Sequence, residues 1–124
     1  MAEVSTVQKG RKAEDIALEW LLQHGFVLKE RNYRSGRREI DLIVESEHRL
    51  HIVEVKSLTA PVLTDPLSKV DIRKQRLLSG AAAHYVAEKR VSKEVQFDLI
   101  SVVFHPDHHT LEYVTEAFWP IYYR

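Results

Sequence analysis

Glu39-Ile40-Asp41-Leu42-Ile43-Val44 and Arg49-Leu50-His51-Ile52-Val53-Glu54-Val55-Lys56, separated only by the polar Glu45-Ser46-Glu47-His48, decide how the rest of the chain is read. Both runs are rich in β-branched residues and the link is short, so they form an antiparallel hairpin. Side chains alternate along a strand, which places Glu39, Asp41 and Ile43 on one face and Ile40, Leu42 and Val44 on the other; Glu54 and Lys56 share a face. With the turn centred between Glu47 and His48, residue 45 opposes 50, 43 opposes 52, and Asp41 opposes Glu54. Opposed residues have Cβ atoms about 4.5 to 5.5 Å apart, and like charges there destabilise a sheet. A cation must separate these two. A hard divalent ion such as Mg²⁺, or Mn²⁺ in its place, accepts carboxylate and carbonyl oxygens and keeps waters for chemistry. Lys56, roughly 7 Å further along the strand, is placed to orient an attacking water and offset phosphate charge.

Upstream, Gly10, Ala13, Glu14, Ala17, Leu18, Leu21 and Leu22 recur at the period of one helical face, giving a helix over Thr6–His24 that Gly25 stops. Glu14 sits inside that apolar stripe, where an unpaired ionised group is costly. It too calls for a cation, and the ion at Asp41 and Glu54 would serve. Residues 26–33 read as a first strand and Ser35-Gly36 as a turn.

Downstream, 59–65 is a loop, and Ser68-Lys69-Val70-Asp71 matches a capping box opening a helix that runs to about Lys89. Leu67, Val70, Leu77, Leu78, Ala81, Ala82 and Tyr85 form its apolar stripe, interrupted by Gly80. A strong strand over 95–104 turns at His105–His109 into a weaker one over 110–115. The order helix, three strands, helix, two strands predicts one α/β domain: a three-layer α/β/α sandwich with a central mixed sheet.

The bulk composition narrows the chemistry. The 124 residues fit a single domain, and 44% hydrophobic with 29% charged residues is globular composition. The absence of cysteine excludes disulfides, thiolate metal sites and thiol nucleophiles. The start of the chain lacks the apolar run of a signal peptide, so the expected location is the cytoplasm. Eighteen basic residues balance eighteen acidic ones, but residues 1–93 carry 17 basic against 13 acidic and residues 94–124 one against five. This distribution predicts a polarised surface.

Asp41 followed by Glu54-Val55-Lys56 on the next strand resembles the PD-(D/E)XK motif of restriction-endonuclease-like nucleases. More closely, Gly10-x-x-Ala13-Glu14-x-x-Ala17, Gly25-Phe26, Arg31-Asn32-Tyr33-Arg34, Glu39-Ile40-Asp41-Leu42-Ile43, Val53-Glu54-Val55-Lys56, Phe97-Asp98-Leu99 and Ala117-Phe118 resemble the YraN-like family of small bacterial proteins, itself similar to archaeal Holliday-junction resolvases. The resemblance implies a restriction-endonuclease-like, tRNA-endonuclease-like fold. It makes Asp41 and Glu54 metal ligands, the Val55 carbonyl a third, Lys56 the catalytic lysine, and Glu14 a helix-borne acid at the same ion. Ile40 stands where the motif has proline, and Arg38 where the family has glycine. Neither change removes a reactive group.

The ordinary readings stand beside these. A lone D…E-x-K also arises on solvent-facing strands, but Glu54 and Lys56 lie within the apolar run of Ile52, Val53 and Val55. Glu39 would face Lys56 as an ion-pair partner. Arg31, Arg34, Arg37 and Arg38, with Lys29, can contact phosphates or protect a solvated edge strand. Lys74 and Gln75, with Arg76, match a polar helix segment that nucleases of this type place near the cleft, or a solvated helix face. His105, His108 and His109 read as a polar turn, and His51 and His84 as partly buried imidazoles. Trp20 reads as core, and Trp119, Tyr122 and Tyr123 as packing on the sheet or a second subunit. The expected function is a divalent-metal phosphodiesterase, an endonuclease acting on nucleic acid, DNA before RNA and branched DNA among the substrates. A homodimer would be needed to cut two strands symmetrically. The alternative is a nucleic-acid-binding module that keeps the fold without cutting.

Overall fold

In a computed structural model that describes residues 6–121, a five-stranded sheet in the order β1-β2-β3-β4-β5 carries a helix on each face. The elements are α1 (Thr6–Gln23), β1 (Val27–Ser35), β2 (Arg38–Glu45), β3 (Arg49–Thr59), a 3₁₀ turn (Pro66–Lys69), α2 (Ile72–Lys89), β4 (Glu94–Phe104) and β5 (His109–Phe118). Neighbouring strands are antiparallel except β3 and β4, which run parallel and need α2 as their crossover. The result is the mixed-sheet α/β/α sandwich the sequence predicts, and the resemblance's restriction-endonuclease-like architecture.

Each helix covers its own half of the core. Ala13, Ala17 and Leu21 of α1 pack on Leu42, Val44, Val53, Ile100 and Val102. Leu78, Ala81, Ala82 and Tyr85 of α2 pack on Ile40, Ile43, Leu50, Ile52, Phe97 and Leu99. The small alanines on α1 let its axis lie close to the sheet. Gly25, at φ +88, ends that helix in a backbone conformation an L side chain rarely adopts, and Phe26 N–H closes back on the Leu21 carbonyl.

The hairpin register is the expected one, with Glu45 opposite Leu50, Val44 opposite His51, Ile43 opposite Ile52 and Leu42 opposite Val53. The ladder stops there, one rung short of Asp41. The expected alternation also fails at this point: Ile40 and Ile43 both lie under α2, while Leu42 and Val44 lie under α1. The phase of β2 therefore slips between Ile40 and Leu42. Beside the slip, on β1, Asn32 has φ +54, in the left-handed region that asparagine tolerates better than most residues. A paired irregularity in two neighbouring strands thus frees Asp41 from ordinary strand geometry.

Two boundaries differ from the sequence reading. The N-cap of α2 is Asp71, whose Oδ1 accepts from Lys74 N–H at 2.9 Å, not Ser68; Ser68 instead donates to the Asp65 carbonyl inside the 3₁₀ turn. An anionic cap at a helix N-terminus has both the hydrogen bond and the helix dipole in its favour. The last strand is longer than 110–115, because β4 offers it a partner from Phe104 back to Phe97. Trp20 is half-buried, stacked on His24 and edge-on to Tyr113, whereas Trp119 is 75% exposed and not packed on the sheet. Tyr122 and Tyr123 lie outside the described residues.

Candidate functional site

Glu54 occupies the α2 side of β3 at 4% exposure, in line with the core residues Leu50 and Ile52. Burying a carboxylate without full hydrogen bonding is costly, and its Oε2 has no hydrogen-bond partner. Lys74 of α2 brings Nζ to 3.6 Å from Oε2, and Lys56 brings Nζ to 4.0 Å from Oε1. Both are ion-pair distances, too long for hydrogen bonds. Burial, and then the negative charge of nearby Asp41, push the Glu54 carboxyl up to about 8, against the opposing pull of Lys74 and Lys56.

Asp41 sits where the β2–β3 ladder has ended. Its Oδ2 accepts from Val55 N–H at 2.9 Å, so a side chain takes a backbone donor at the end of the ladder. The carboxylate is thereby fixed beside Glu54, as the hairpin register anticipates. Glu14 approaches from α1, on the other face, half-buried, and its carboxyl is raised by burial first and by Asp41 second. Arg31 Nε lies 3.7 Å from Glu14 Oε1, and Asn32 Nδ2 donates to the same oxygen at 3.2 Å. The three acids form a row with Asp41 in the middle. Among the described residues no three acidic or imidazole side chains converge into a ready-made metal cage.

The basic residues divide by what already holds them. Arg31 is engaged by Asp15 at 2.7 Å as well as by Glu14. Arg34 pairs with Glu39 at 3.4 Å while remaining exposed, so Glu39 faces Arg34 in place of the expected Lys56. Arg37 is exposed in the β1–β2 turn. Arg38 lies across α2 at Gly80, where a Cβ would come within 2.9 Å of its Nη1. That close approach is what the glycine inside α2 permits. Gln75 donates to the Val70 carbonyl at 2.9 Å and stitches the start of α2, whereas Lys74 reaches the site. The histidine turn is as expected: His105 and His108 stack at 4.3 Å and His108 bonds Asp107. His51 is buried, but His84 is exposed and bonds the Tyr33 hydroxyl.

Two residues that the sequence shows only inside family motifs, with no role attached, organise the polar contacts around the sheet. Asn32 holds Glu14 and supplies the left-handed turn beside Asp41; an asparagine inside a β-leaning run is the signal that points to it. Asp98, wholly buried on β4, accepts from His51 Nδ1 at 2.7 Å, the Tyr113 hydroxyl, Gln96 Nε2 at 2.8 Å and Glu116 N–H at 3.0 Å. These donors hold its carboxyl below the usual range although burial alone would raise it.

The five-stranded mixed sheet between two helices is a restriction-endonuclease-like fold, with Asp41 on β2 and Glu54 and Lys56 on β3. Residues 13–102 match Uncharacterised protein family UPF0102, and the chain belongs to that family. It is similar to UPF0102 proteins of Porphyromonas gingivalis, 43% identical over 99 residues covering 80% of this chain and 73% of that one. A Chlorobium chlorochromatii relative is 36% identical over 121 residues, 93% of this chain and 94% of the relative. One from Bacteroides thetaiotaomicron is 32% identical over 111 residues, 90% and 92%. No helix among the described residues is long and apolar enough to cross a membrane.

Proposed function

We propose that the protein is a divalent-metal-dependent endonuclease that hydrolyses phosphodiester bonds in nucleic acid, DNA in preference to RNA. The observation that carries this reading is Glu54: a buried carboxylate with an orphaned oxygen, pressed against a second carboxylate and flanked by two ammonium groups. A fold does not keep such a group for stability, and perturbed carboxyls of this kind cluster at functional sites. The side chains fit an ion in one respect and limit it in another. Asp41, Glu54 and the Val55 carbonyl suit a Mg²⁺ or Mn²⁺ that takes one or two carboxylates and keeps several waters, with Glu14, held by Arg31 and Asn32 beside Asp41, as the helix-borne acid nearest the ion. Bound there, the ion would polarise a phosphoryl oxygen and lower the pKa of a coordinated water.

The chain's own groups supply the rest. Lys56 places a positive charge beside Glu54, where it can orient a nucleophilic water and offset charge on the phosphate. Lys74 adds a second charge from α2. Arg34 and Arg37, exposed at the β1–β2 end, are the groups of the basic run most free to contact the backbone of the substrate. One site per chain cuts one strand, so symmetrical cutting of branched or duplex DNA requires two copies.

Purified protein with labelled single-stranded, duplex, flap and four-way-junction DNA, in Mg²⁺, Mn²⁺ or chelator, tests this directly. Cleavage is expected with metal and absent in chelator. Glu54→Ala and Lys56→Ala should abolish it while each variant still binds. The dispersal of the acids into a row favours a second reading, a binding module that keeps the fold without cutting. Binding by the wild type with no cleavage of any of these substrates would establish it.

A further inference from the structure

A second basic feature lies across the carboxyl ends of β3 and β4, on the α1 side of the sheet. A pocket of about 390 Å³ opens there between Lys9 and Lys12 of α1, Thr59 and Ala60 at the end of β3, and Phe104 and His105 at the end of β4. Lys9 Nζ donates to Thr59 Oγ1 at 3.1 Å, and Lys12 Nζ stands 5.7 Å from the centre of the Phe104 ring. Among the described residues no acidic side chain lines the pocket and neither lysine has a carboxylate partner. Two ammonium groups lining one concavity with no lining carboxylate among the described residues favour an anion there. The Phe104 ring with the apolar Ala60 and Pro106 adds a flat greasy wall. An anion joined to a flat aromatic ring is the chemistry of a nucleotide.

The position agrees with the chemistry. Ligands of α/β sheets settle outside the carboxyl ends of parallel strands, and β3 and β4 are the parallel pair of this sheet. Thr59 lies three residues beyond Lys56, about 10 Å of strand. A chain passing over the end of the sheet from Lys74 and Lys56 therefore meets Lys9 and Lys12 next. Resting on the nuclease reading, we propose that this pocket is a subsite for one unpaired nucleotide flanking the scissile bond: Lys9 and Lys12 take its phosphate, and Phe104 stacks its base. A base still paired and stacked in a duplex offers an edge, not a face, so the subsite selects single-stranded or frayed nucleic acid.

The test is binding of a fluorescent single-stranded oligodeoxynucleotide and of a blunt duplex of the same length, in chelator, so that cleavage plays no part. Phe104→Leu should weaken the single strand about tenfold, within the range for loss of one base stack, leave its salt dependence intact, and leave the duplex within twofold. The double variant Lys9→Ala, Lys12→Ala should lower the slope of log affinity against log salt by about 0.7, the value for one phosphate neutralised on a single strand. Lys12 is exposed, so Lys12→Ala alone, with about half that slope change, carries the test if Phe104→Leu fails to fold. Wild-type affinity and slope in the lysine variants, or equal weakening of single strand and duplex by Phe104→Leu, would overturn the subsite. Metal-dependent cleavage by the wild type beside such a result would leave the nuclease reading standing and sink only the subsite.

Discussion

Two carboxylates are buried in adjacent strands of this sheet and are treated in opposite ways. Asp98 on β4 faces α1 and receives four hydrogen bonds, from segments as far apart as His51 and Glu116. Glu54 on β3 faces α2 and has an oxygen with none. Burial pushes both carboxyls up; at Asp98 the donors prevail and the carboxyl ends low, whereas at Glu54 a neighbouring acid adds to burial and the carboxyl rises to about 8. The chain can therefore satisfy a buried acid when stability alone is at stake. That it leaves Glu54 unsatisfied, two lysines notwithstanding, is the contrast on which the proposed ligand site rests.

The largest expected effect breaks the satisfied member of the pair. Asp98→Ala strands the imidazole, phenol, amide and backbone donors that now converge on it, and the loss of a buried, fully bonded charge costs about 3 to 5 kcal/mol. Urea unfolding at pH 7 measures it, and a loss under about 1 kcal/mol would show the network to be dispensable. The same group sets an acid limit. A lowered carboxyl contributes stability that is present above its ordinary value of 3.8 and is lost as pH falls through its lower folded value. Wild-type stability should fall below about pH 4 more steeply than that of Asp98→Asn.

Glu54→Gln tests the unsatisfied member and should act with the opposite sign. A raised carboxyl leaves stability fully present below its ordinary value of 4.5, and that stability is lost as pH rises through about 8. In chelator the variant should therefore match the wild type near pH 4 and exceed it by about 1 to 3 kcal/mol at pH 9, a trade of activity for stability. Thermal melts across that range decide the matter. A variant less stable than the wild type at pH 9 would make Glu54 an ordinary structural acid.

The two acids also differ in how far sequence could reveal them. Asp41, Glu54 and Lys56 were legible because a strand alternates strictly and a short polar link fixes the hairpin register; four opposed pairs stand as expected. The slip at Asp41 was not legible, since it depends on a left-handed Asn32 in the neighbouring strand. Arg31 as the partner of Glu14 depends on how α1 lies against β1, which no periodicity encodes. Asp98 was visible only as part of a family pattern, because its donors come from a hairpin, its own strand and the following one. Local rules reach a side chain's face and register, whereas a network drawn from three strands exists only after the sheet has assembled.

The smallest effect separates a bonded charge from a merely neighbouring one. Lys74 lies 3.6 Å from the orphaned oxygen of Glu54 and is partly open to solvent. If Glu54 holds its proton at neutral pH, the ammonium has little charge to attract there, and Lys74→Met should change stability at pH 6 to 7 by no more than about 0.5 kcal/mol, the usual scale for an accessible pair. Above about pH 8 Glu54 ionises and the missing lysine should begin to matter, so the curves of wild type and variant diverge only on the alkaline side. The Glu54 carboxyl itself, followed by carbon NMR in chelator, should titrate higher in the variant. A donor removed from Asp98 gives the contrasting profile: Gln96→Leu should cost about 1 kcal/mol uniformly between pH 6 and 9, because that acid is ionised throughout. A pH-independent loss of similar size in Lys74→Met would mean that Glu54 is already charged and adequately paired. The contrast between the two acids would then disappear, and with it the physical argument that Glu54 is held ready for a ligand.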